Sequence, residues 1–167
     1  MSEAQDDAVE RIPVQVDLRE KAPPLPAFRA KTDPVAAAEA AVEKLSFQFK
    51  NWMISEIDSL GKAWKSVEAE GLTETSFDEL FRASHDIKGQ ADTLGYPLAG
   101  QVASSLCMLM ETTPDREEIP LSLLEKHVQA LCAIVAEKAN EENTTGQALV
   151  SALREVTGET LAKYEAE

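Results

Sequence analysis

From Asp33 onward, apolar side chains return every three or four residues, and that spacing commits the chain to α-helices. Asp33 before Pro34 offers an N-cap and a first-turn proline. Val35, Val42, Leu45, Phe49, Trp52, Ile57, Leu60 and Trp64 then recur at helical spacing until about Gly71, predicting a long first helix with a possible break near Gly61. A second helix is expected from a cap at Thr75 or Ser76, with Asp78 and Glu79 in its first turn and Gly95 at its end. Tyr96-Pro97 opens a third, carrying Leu98, Val102, Leu106, Leu109 and Met110, which the Thr112-Thr113-Pro114 turn stops. A fourth runs from about Leu121 to Lys138 with Leu124, Val128, Leu131 and Val135 along one side. After the polar NEENTTG break, a fifth shows Leu149, Leu153, Val156 and Tyr164, although Gly158 weakens it.

Composition supports this reading: only 5% of residues are aromatic and glycine numbers 7, which favours helix over sheet. At 167 residues the chain suits one domain with tails. Residues 1–33 hold Pro13, Pro23, Pro24 and Pro26 among mixed charges, so an extended or disordered arm is expected there, with one alternating stretch, IPVQVDL. The expected architecture is all-α: the arm, an antiparallel four-helix bundle over 34–140, and an additional C-terminal helix over 141–167.

A formal net charge of -14, from 16 basic against 30 acidic residues, opposes nucleic-acid binding and favours protein partners. No apolar run is long enough for a membrane span, and MSEAQDDAVERIP lacks the features of a signal peptide, so a cytoplasmic protein acting as a monomer is expected. Cys107 and Cys132 lie in apolar helical stretches with no ligand spacing nearby and read as reduced core residues. His127 has no second ligand at i+3 or i+4 and reads as surface or helix-flank filler.

The stretch LFRASHDIKGQADTLG, residues 80–95, carries the chemistry. At ~100° per residue, Phe77, Leu80, Ser84, Ile87, Ala91 and Leu94 form one stripe, which places His85 roughly opposite, facing solvent. Arg82 and Asp78 lie one and two turns before it, Lys88 and Gly89 one turn after, and Asp92 two turns after. A glycine in mid-helix costs ~1 kcal/mol relative to alanine. Here it leaves a hollow beside the imidazole, and Lys88 brings a cation to the same spot. A neutral imidazole is nucleophilic near physiological pH, so this arrangement suits a phosphoryl group. No carboxylate cluster is evident to hold Mg²⁺; the metal and the acceptor aspartate would come from a partner.

At His85-Asp86-Ile87-Lys88-Gly89, then Leu94-Gly95, the sequence resembles the histidine-containing phosphotransfer (HPt) family, marked by His-x-x-Lys-Gly on a helix followed by Leu-Gly. Leu106-Cys107-Met108-Leu109-Met110-Glu111 is similar to the family's next segment, and the resemblance covers about residues 35–140. It implies a relay in which a histidine takes phosphate from one receiver-domain aspartate and gives it to another. The partners would be receiver domains of response regulators and of hybrid histidine kinases. By position His85 is the phosphorylated residue, Lys88 and Gly89 support it, and Phe81, Arg82 and Asp92 border the docking face. Gln90 departs from the usual small residue and is a candidate hydrogen-bond donor to the phosphoryl group; Asp86 departs from an apolar one.

Two other readings compete. A dimeric kinase core would need a proline soon after the histidine, yet none follows before Pro97. The only Gly-Lys pair, Gly61-Lys62, lacks the residues of a phosphate loop, so no ATP site and no cofactor are expected. An acidic helical adaptor without chemistry would have no need of a hollow at Gly89. Incubation with labelled ATP and no kinase should leave the protein unlabelled, and incorporated label would contradict this reading.

Overall fold

A computed structural model describes residues 33–165. It contains five α-helices and, among the described residues, no strand: α1 (Pro34–Glu70), α2 (Glu74–Gln90), α3 (Pro97–Thr112), α4 (Leu121–Glu137) and α5 (Thr144–Glu165). A 3₁₀ turn, Arg116–Glu118, links α3 to α4. Apart from Asp33, the arm expected over 1–33 lies outside the described residues. The chain divides between Glu39 and Ala40; of the first unit only the opening of α1 is described, and the bundle belongs to the second.

The centre of the bundle is α3, which packs against α2, α4 and α5. A helix touched from several sides must be apolar nearly all round, and 10 of its 16 residues are buried. α5 reaches α3 closely at Gly146, where a Cβ would stand 2.8 Å from Leu98 Cδ1, so a side chain there would require Leu98 to shift. The far end of α5 is tied down by Tyr164, whose hydroxyl donates to the carbonyl of Glu118 at 3.0 Å. α1 contributes Met53, Leu60, Ala63 and Val67 to the core, with Phe49, Ile57 and Trp64 packed beside them.

Four expectations are corrected. α1 runs through Gly61 without a break. The N-cap of α2 lies two or three residues before the expected ones: it is Thr73, whose Oγ1 accepts from the Ser76 amide at 3.2 Å, while Ser76 Oγ accepts from the Thr73 amide at 2.9 Å. This reciprocal box outcompetes a cap at Thr75 or Ser76 because it satisfies two otherwise orphaned amides at once. Glu74, not Asp78 or Glu79, is therefore the first-turn acid. The apolar stripe of α1 is only partly used: Val35, Val42, Leu45 and Trp52 remain exposed.

The fourth correction concerns His127, which is fully buried on α4 rather than on the surface. Its Nδ1–H donates to the carbonyl of Leu123 at 2.8 Å, and its Nε2 lies 3.0 Å from Ser105 Oγ of α3 and 3.3 Å from Thr157 Oγ1 of α5. Ser105 and Thr157 are also buried and lie 3.1 Å apart, so one polar cluster ties three helices together. Its sequence signal was hidden because the partners come from two other helices, 22 and 30 residues away. Among the described residues no buried side-chain nitrogen or oxygen lacks a partner, which is the condition under which a polar cluster stabilises a core.

Burial lowers the pKa of His127, opposed by its bond to Leu123. The unfolded chain, with an ordinary histidine, therefore binds a proton that the folded chain refuses. Stability is fully present above pH ~6.5 and falls as pH drops below it, by at most ~1.4 kcal/mol per unit. Urea unfolding between pH 7.5 and 5.5 should show this slope, and His127→Gln should abolish it. An unchanged slope in the variant would contradict a neutral buried imidazole.

Candidate functional site

α2 is two-sided. Leu80, Ala83, Ser84 and Ile87 are buried, and Ala91 and Leu94 continue that face through the turn that follows. Ser84 escapes a desolvation cost by donating to the carbonyl of Leu80 at 2.7 Å. With this face fixed against α3, Arg82, His85, Asp86, Lys88 and Gly89 all stand exposed. After Gln90 the chain turns through Ala91 to Gly95, whose φ of +86° favours glycine, and Tyr96 with Pro97 starts α3.

His85 ends an aromatic row. Phe77 and Phe81 stack with centroids 6.2 Å apart and planes within 4°, and Phe81 meets the His85 ring at 6.1 Å with a 37° tilt. Arg116, from the 3₁₀ turn, lies over Phe77 at 5.9 Å. Phe81 thus supports one side of the imidazole. The residue that sequence reasoning missed here is Arg116, since no spacing rule brings the α3–α4 connection to α2. Phe77, expected in the buried stripe, is only half-buried because it shares itself between core and row. Among the described residues the His85 ring nitrogens have no hydrogen-bond partner, so the ring is available to an incoming group.

Lys88 lies one turn from His85 and close enough to α3 that its charge acts on Cys107. Burial pushes that thiol up to about 11, with Lys88 pulling it down and Glu111 pushing it up, so Cys107 stays protonated and inert at neutral pH. Cys132, half-buried, is likewise pushed up, by burial and then by Asp58. Both cysteines are free thiols.

Gly89 sits in the last turn of α2 rather than in mid-helix, with a helical backbone and, among the described residues, nothing within 4 Å of the position a Cβ would take. Neither backbone conformation nor internal contacts account for its missing side chain. Gly61 and Gly158 are equally open, so openness alone singles out nothing. Gly89 differs in lying one turn from a free imidazole with a lysine adjacent. Asp92 is exposed but lies in the turn beyond the end of α2, with its carboxylate beside Gly100 of α3. Gln90, five residues on from His85, is ~140° round the helix from it and half-buried.

The site is a surface rather than a cavity. Grooves of about 550 and 540 Å³ elsewhere on the bundle include none of His85, Lys88 or Gly89 in their walls. Among the described residues no group of three or more His, Cys, Asp or Glu could hold a metal ion, and no helix is long and apolar enough to cross a membrane.

A family model described as Hpt domain matches residues 44–155, and the chain belongs to that family. No curated protein and no solved structure matches the chain. Membership ties the protein to two-component phosphotransfer and to receiver domains, with which Hpt domains interact.

Since Gly89 is helical and unobstructed, Gly89→Ala should stabilise the isolated protein, by up to ~1 kcal/mol and less if the last turn frays. Thermal unfolding checks this; a loss of stability would mean that the position is crowded.

Proposed function

We propose that His85 carries a phosphoryl group and relays it between aspartates of receiver domains. The observation that carries this reading is the gap at Gly89, unobstructed among the described residues, beside an exposed imidazole. Among the described residues nothing requires the gap, whereas an aspartyl phosphate approaching His85 needs clear space on that side. An unprotonated ring nitrogen attacks phosphorus; the N–P bond forms as the bond to the aspartate oxygen breaks, and the carboxylate leaves with its electron pair. A second receiver reverses the step with its own aspartate. Lys88 offsets the charge of the phosphoryl group on the ring. Mg²⁺ and the carboxylates that hold it belong to the receiver. Phe81, Arg82 and Asp92 border the contact.

The test pairs stability with transfer rate. Gly89→Gln keeps the helix and obstructs the approach, so it should fold normally and accept phosphate from a labelled receiver at least about tenfold more slowly, the equivalent of ~1.4 kcal/mol. Lys88→Ala should stay within ~0.5 kcal/mol of the parent in stability and also transfer more slowly. A folded Gly89→Gln protein that transfers at the parental rate would remove the gap, and with it this reading of the site.

A further inference from the structure

The His85 imidazole is exposed, and an exposed side chain exchanges between rotamers and turns about its Cβ–Cγ bond unless something packs against it. Phe81 does so. It lies one helical turn before His85, and long side chains on a helix lean toward the N-terminus, which carries the imidazole back toward the Phe81 ring. The centroids are 6.1 Å apart with the planes tilted by 37°, the geometry of an aromatic pair. Phe81 is itself held on two sides: it is half-buried against the core, and it stacks on Phe77 with centroids 6.2 Å apart and planes within 4°. Phe77 in turn carries the Arg116 guanidinium at 5.9 Å. The support under the imidazole is therefore anchored in the bundle, and it closes the N-terminal flank of the ring while Gly89 leaves the C-terminal flank open.

Attack on phosphorus demands more than an unprotonated nitrogen. The lone pair lies in the plane of the imidazole, so the orientation of the ring decides whether it points at an incoming phosphorus or past it, and a misplacement of about 1 Å can cost on the order of 100-fold in rate. We propose that Phe81 is a positioning residue for transfer at His85, holding the imidazole in one orientation by packing against it. The proposal rests on the relay reading and gives Phe81 a part in it beyond bordering the contact. Phe81 acts through the imidazole and needs no contact with the phosphoryl group.

Two measurements on the full-length protein test this. NMR couplings across the Cα–Cβ and Cβ–Cγ bonds of His85, read with no receiver present and with the ring neutral, should report one conformer in the parent and in Phe81→Tyr, and an average in Phe81→Leu. Transfer from a phosphorylated receiver, followed over a receiver concentration series, should show a maximal rate about tenfold lower in Phe81→Leu and restored in Phe81→Tyr, with the half-saturating concentration unchanged. Leucine keeps an apolar side chain against the core, thermal unfolding verifies the fold of each variant, and Phe81→Met replaces Phe81→Leu if leucine unfolds the bundle. Averaged couplings in the parent would overturn the proposal, as would a Phe81→Leu protein that keeps one conformer or transfers at the parental maximal rate. A change confined to the half-saturating concentration would overturn it too, leaving Phe81 a docking contact. A parent that takes up no phosphate from any receiver would overturn the relay reading itself, and the proposal with it, which none of the other outcomes does.

Discussion

The burial of one face of α2 against α3 is the constraint from which the rest follows. Leu80, Ser84, Ile87, Ala91 and Leu94 can leave water together only if the helix takes one rotation about its axis, and that rotation turns His85 outward. Because side chains one turn apart share a face, the same rotation exposes Lys88 and Gly89 with it. The site thus needs no loop and no moving part; it is the unburied side of a helix whose other side is fixed by the core. The aromatic row from Phe77 through Phe81 then reaches the imidazole from one side, leaving its nitrogens clear.

Stability and chemistry are separable in this design. The cluster of His127, Ser105 and Thr157 joins α3, α4 and α5, the part of the bundle remote in sequence from α2. The two histidines are opposite cases of one side chain. His127 is buried, with both ring nitrogens occupied, and burial holds it neutral. His85 is exposed and unencumbered. Membership of the Hpt domain family assigns the class of partner; the residue that serves that partner is argued from this contrast.

Periodicity made most of the fold legible, because spacing in sequence translates directly into a face of a helix. It placed the helix starts near Pro34, Pro97 and Leu121 and put His85 opposite the buried stripe of α2, as found. What it could not give depends on contacts between helices. His127 was misplaced because its partners lie on α3 and α5, and Arg116 was missed because the connection between α3 and α4 folds back over Phe77. The start of α2 was set two or three residues late because Thr73 caps through a box with Ser76, where the sequence offered several equivalent hydroxyls. Gly89 was read correctly as an open position but for an incomplete reason: it lies in the last turn, where a glycine costs less than in mid-helix.

The most direct measurement is the site of the phosphate itself. After incubation with a phosphorylated receiver domain, phosphorus NMR combined with mass mapping under basic conditions should find a single phosphoramidate, on the imidazole of His85, and none in His85→Gln. Phosphate on His127 or on any other residue, or uptake that survives His85→Gln, would contradict the account.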